Sequence, residues 1–163
     1  MLILLPVLIL LLTALAMAVL DRLRPRYSYH WVVAVGGAFL AWAGVWVLRF
    51  RLPSSLPLAD WGVEGLLSSS PVLRVDGISW MFALALATFA LAVILTDAAR
   101  AQETQWEVWA GGLSITALGI LAVMAGNPLT LVLVWVILDV VDLVILLLNT
   151  IHQQFDKSSG IYF

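Results

Sequence analysis

Five stretches of the chain lack almost any polar residue, and polar connectors of unequal length separate them. They run from Leu2 to Leu20, Trp31 to Leu48, Gly77 to Leu95, Trp106 to Ala125 and Pro128 to Leu148. Each has roughly the 20 apolar residues needed to cross about 30 Å of hydrocarbon. None alternates apolar with polar as a barrel strand would, so each is predicted to be a transmembrane helix. The connectors 21–30 and 96–105 are short, and Gly126-Asn127 is barely a turn. Residues 49–76 form one long loop, rich in serine and proline, that is expected to cap the outer face. Within it, Leu58 to Leu67 can form an interfacial turn of helix with Trp61 at headgroup depth.

Composition agrees. Of 163 residues, 63% are hydrophobic and 11% charged, too few charges to coat a soluble domain. The fold class is therefore all-α, a single integral membrane domain of about five helices. Ala14-Leu15-Ala16 resembles a signal-peptidase site, but Arg22, Arg24 and Arg26 follow the apolar run instead of preceding it. The first span is thus read as a retained helix. Counting basic residues places Arg22, Arg24, Arg26, Arg100 and Lys157 on one side and Arg49, Arg51 and Arg74 on the other. That asymmetry predicts an N-out/C-in orientation.

Charge and residue types also exclude functions. A net charge of −2 leaves no electrostatic footprint for nucleic acid. With no cysteine and two histidines at span ends (His30, His152), no thiolate, histidine-cluster, haem or chlorin site is expected, and no cofactor. No nucleophile–base pair suggests an active site of the chain's own.

Small residues predict where helices approach closely: Gly37, Ala41 and Gly44 on the second span, and Gly112, Gly119 and Gly126 on the fourth. Trp31, Trp46, Trp61, Trp80, Trp106 and Trp109 suit an interfacial belt. Trp42 and Trp135 lie deeper, between helices or facing lipid. Asp76 stands where an N-cap belongs, with Gly77 and Ser79 after it. Glu107 sits at the mouth of the fourth span. Thr13 and Thr88 are expected to bond carbonyls of their own helices.

The chemistry concentrates in LVLVWVILDVVDLVILLL, residues 131–148. Asp139 lies roughly 16 Å into the helix from Pro128, near the bilayer midplane, and Asp142 about 5 Å further, rotated some 60° from it. Trp135 and Asn149 share this polar stripe, which is expected to be aimed at protein or water and not at lipid. An aspartate at a helix centre costs about 2.5 to 3.5 kcal/mol, and the chain has no intramembrane Lys or Arg to offset it. An apolar medium disfavours the charged form, and two adjacent carboxylates do not both ionise cheaply. The pair is therefore expected to hold at least one proton at neutral pH. Asp139 and Asp142 are proton-relay candidates. The competing reading is a protonated, hydrogen-bonded pair that ties subunits together.

LRVDGISWMFALALATFALAVIL, residues 73–95, resembles the third helix of the antiporter-like subunits of respiratory complex I and the Mrp antiporters, where a DG-(L/I)-S start precedes an apolar helix. AVMAGNPLTLVLVWVILDVVDLVILL, residues 122–147, is similar to that family's fifth helix, where an asparagine-led turn precedes W-E-L. In this chain Val136 stands where the family has its glutamate, and Asp139 follows one turn later. The family's lysine-bearing helices would come after residue 163, so the chain corresponds to the leading third of such a subunit. The resemblance implies a membrane subunit of a multi-subunit energy-converting complex, in a bacterial plasma membrane, contributing to proton translocation. Any enzymatic activity would be that of a proton-translocating oxidoreductase as a whole. Its partners would be other membrane subunits and the bilayer. The alternative is a non-conducting accessory subunit that packs or assembles a respiratory or photosynthetic complex. A free-standing transporter fits less well, because five spans with no inverted repeat are poorly suited to alternating access.

Overall fold

The computed structural model describes residues 2–23, 29–58, 70–100 and 106–159, with side chains through 147. Five helices carry the chain: α1 (Leu5–Leu23, led by a 3₁₀ turn, Leu2–Leu4), α2 (His30–Leu48), α3 (Gly77–Arg100), α4 (Trp106–Val123) and α5 (Pro128–Ser159). All five are long and apolar enough to cross a membrane. This is an all-α membrane protein, as the apolar runs predict. Helix α4 packs on α1, α2, α3 and α5, and α2 packs on α1 and α3. The result is a four-helix bundle with α5 laid against its α4 side.

Between lipid-surrounded helices there is no hydrophobic driving force, so close packing carries the association. Residues Gly37, Ala41 and Gly44 of α2 are buried. A Cβ on Gly37 would overlap the Thr13 side chain, and one on Gly44 would touch Leu5 and Pro6. Here α1 and α2 approach as the small-residue stripe predicts. Thr13 Oγ1 donates to the Ile9 carbonyl (2.7 Å) and Thr88 Oγ1 to that of Leu84 (2.8 Å), so both bond their own helices. On α4 the expected stripe makes a helix contact only at Gly119, where a Cβ would stand 3.6 Å from Leu86 of α3. Gly112 has nothing within 4 Å of a Cβ, and Gly126 lies beyond the helix. The close approach is at Gly111, whose Cβ would stand 3.2 Å from Ile145 of α5.

Two tryptophans assigned to the belt belong to the core. Trp80 is 5% exposed and Trp109 8%. The Trp80 indole donates to the Val45 carbonyl at 2.8 Å, Trp46 meets it edge-on, and the Arg49 guanidinium lies 5.0 Å over its ring. Trp42 sits between helices, donating to Thr88 Oγ1 at 3.0 Å.

The long loop contains structure that its serines and prolines conceal. Strands β1 (Ser54–Pro57) and β2 (Val72–Val75) pair antiparallel, Ser54 opposite Val75. On its other edge β2 bonds the α4–α5 turn: Arg74 N–H donates to the Met124 carbonyl and Gly126 N–H to that of Val72, both at 2.8 Å. A Cβ on Gly126 would stand 2.9 Å from the Val72 oxygen, so the strand can come this close only to a glycine. Leu73 and Val75 are fully buried beneath this clasp. The proposed interfacial turn around Trp61 lies outside the described residues.

Asp76 caps α3 as predicted. Its carboxylate accepts from the N–H groups of Ile78 (3.1 Å) and Ser79 (2.9 Å), while Ser79 Oγ accepts from the Asp76 N–H (2.8 Å). This is a reciprocal capping box with serine in the returning position. The bonds from the Ser79 backbone and hydroxyl hold the Asp76 carboxyl below its ordinary value of 3.8. The cap is therefore at full strength above that value and is lost as pH falls through the lowered one.

Substituting Gly37→Ala should destabilise the chain by about 1–3 kcal/mol through overpacking against Thr13. The double variant with Thr13→Ala should recover most of the loss, because the pair shares one space. Thermal unfolding in detergent measures both. Equal losses in the single and double variants would contradict the α1–α2 contact.

Candidate functional site

The clasp also sets where α5 begins and how it is rotated. Asn127 is its cap, with Oδ1 accepting from the Thr130 N–H (2.8 Å) and hydroxyl (2.6 Å). Its amide donates to the Ser70 carbonyl at 2.6 Å. Thr130 is fully buried, and its Oγ1 accepts the Val72 N–H at 2.9 Å. Two of these four bonds tie the first turn of α5 to the long loop, and the other two close the turn on itself. Pro128 opens the helix at a position where a missing N–H goes unnoticed.

From this start the packing stripe of α5 runs through Thr130, Val134, Leu138, Val141 and Ile145, all buried or half-buried. These residues recur at steps of three and four, so they form one face, and that face lies against α4. At 100° per residue, the stripe holding Trp135, Asp139 and Asp142 is rotated roughly 110° away from it. Both aspartates are exposed, as is Trp135. Only 11% of the α5 span is buried, against 22–39% for the other four.

The polar stripe is expected to face protein or water, and within the chain itself the bundle is not what it faces. The aliphatic side, not the acid side, meets the bundle. The reason is local: α5 must lie close to Gly111, and Ile145 fills the space that the glycine leaves. The two acids do share a flank, as their spacing requires, and the other four helices do not cover them. The side chain of Asn149, the next member of the stripe, lies outside the described residues.

The other polar groups take ordinary roles. Glu107 is half-buried in the first turn of α4. Among the described residues no group of three His, Cys, Asp or Glu is placed to hold a metal ion. The turn at Gly126-Asn127 is as expected, but the capping role of Asn127 and the buried Thr130 are not, although Asn-Pro-x-Thr ahead of an apolar run signals a helix start.

Compared with known proteins, the chain matches no family model, no curated protein and no solved structure. Functional reasoning therefore rests on the exposed α5 flank and on the resemblance of its motifs.

Replacing Thr130 by Val should cost about 1–3 kcal/mol, because it strips the buried Val72 N–H of its acceptor. Thr130→Ser keeps both bonds and should stay near wild-type stability. A Thr130→Val chain that melts with the wild type would show that the clasp does not hold α5.

Proposed function

We propose that this chain is a membrane subunit of a multi-subunit energy-converting complex, and that the α5 flank bearing Asp139 and Asp142 is buried against a further membrane helix to form a proton-holding step. The observation that carries this reading is the exposure of both carboxylates at mid-helix, on the flank not covered by the chain's other helices.

Magnitudes favour a protein covering over a lipid one. Two aspartates facing hydrocarbon cost about 5 to 7 kcal/mol together on insertion scales. An interhelical hydrogen bond in a membrane returns about 0.6 to 2 kcal/mol. Stable burial therefore needs several donors, a cation or bound water, which only a protein surface supplies at that depth. Snorkelling does not help, since Asp142 lies roughly 7 Å from the Leu147 end of the span and an aspartate side chain is short.

A carboxyl pair so placed can take up and release a proton as its partner groups change. One proton shared between two acids three residues apart moves about 5 Å along the helix axis. In the resemblance to the antiporter-like subunits, Asp139 takes over the duty of the glutamate that Val136 replaces, and Asp142 is its relay neighbour. The excess of basic residues at the α1–α2 connector supports the N-out/C-in orientation, in a membrane such as the bacterial plasma membrane.

Asp139→Asn and Asp142→Asn, introduced singly into the native complex, should each lower proton flux in sealed vesicles by roughly a hundredfold, the usual scale for losing a positioned proton carrier. Recovery of the assembled complex should be unchanged. If flux survives both substitutions, the acids do not carry protons. If flux is lost only in step with loss of the assembled complex, they are docking groups.

A further inference from the structure

A second feature is independent of the acids. Because α1 and α5 both lie on α4, a crevice of about 400 Å³ runs between them with α4 as its floor. Ala14 and Ala18 of α1, Ala110 and Gly111 of α4 and Val144 of α5 line it. Its α4 floor is low at Ala110, while the neighbouring Gly111 lets Ile145 of α5 close one edge.

Its polarity is confined to one end. The Ser114 hydroxyl in the wall is already spent on the Ala110 carbonyl at 2.8 Å, which leaves that stretch apolar. At the end where α4 begins stands the half-buried Glu107. Helix α1 ends on the same side, and the exposed Arg22 follows Ala18 by one turn on the same face. Among the described residues, the apolar channel thus ends at Glu107, with Arg22 one turn beyond its Ala18 wall.

We infer that this crevice is a phospholipid site: one acyl chain lies along α4, an ethanolamine ammonium meets Glu107, and the phosphate meets Arg22. The walls are apolar along Ala14, Ala18, Ala110 and Val144, as an acyl chain requires. Charge selects the head, because a zwitterion satisfies both end groups whereas a purely anionic head leaves Glu107 opposed.

The test is lipid titration of the full chain in mild detergent, read by native mass spectrometry with phosphatidylethanolamine and phosphatidylglycerol of identical acyl chains. The wild type should retain one phosphatidylethanolamine in preference to phosphatidylglycerol. Ala18→Phe fills the crevice and should weaken retention of both lipids at least about tenfold, equivalent to about 1.4 kcal/mol. Should that variant lose its helical content, Ala110→Leu obstructs the same space from the floor. Glu107→Gln should keep total retention while cutting the preference about two- to fivefold, the scale of one rim ion pair. Wild-type retention in the filled variants overturns the site, and so does a preference indifferent to Glu107→Gln. A photo-crosslinker at Leu15 that captures a polypeptide instead of lipid also overturns it.

Discussion

Carboxylates at the centre of a membrane helix must be surrounded by something other than hydrocarbon, and this chain does not surround its own. That constraint organises the rest of the structure. The four-helix bundle of α1 to α4 is closed by small residues and by buried Leu, Met and Trp side chains. Helix α5 is held by one face only and presents Asp139 and Asp142 on the other flank. No helix of the described bundle covers that flank.

The direction of that flank is fixed at two places. At the start of the helix, Asn127 and Thr130 lock the first turn of α5 to β2 and Ser70, and β2 is locked in turn to the α4–α5 turn. Along the helix, Ile145 seats over Gly111. Turning the acids toward α4 would require α5 to rotate by more than a quarter turn. It would break buried hydrogen bonds at one end and remove the contact at Gly111. The outward flank is thus a property of the packed chain and not of a loosely attached segment.

Much of this was legible in the residues. Apolar runs of membrane length give the five helices, because in lipid a backbone has no other open choice. The Asp76 cap and the Thr13 and Thr88 back-bonds are local chemistry, decided within four residues. The small stripe of α2 was readable too, since Gly37 has one packed face. What failed was non-local. The α4 glycines recur every seven residues, yet Gly111, outside that repeat, makes the tightest helix contact, because the rotation of α4 is set by four neighbours at once. Trp80 stands at a helix start like a belt residue, but Val45 offers it a carbonyl 35 positions away in sequence. Strands of four residues among prolines carry no periodic signal, and their pairing is decided by the turn at residues 124–126. The acid flank posed the deepest ambiguity: an amphipathic membrane helix turns its polar side from lipid, but its pattern does not say whether protein of its own bundle or another chain receives it.

The measurement that bears most directly on this account places a photo-crosslinking residue at Trp135, which is exposed one turn before Asp139 on the acid flank, with the chain in its native membrane. The account predicts adducts to another membrane helix, formed in high yield and lost when Asp139 and Asp142 are both replaced by a bulky leucine. Adducts to lipid alone would mean that the carboxyl flank faces hydrocarbon, and the functional reading built on it would fall.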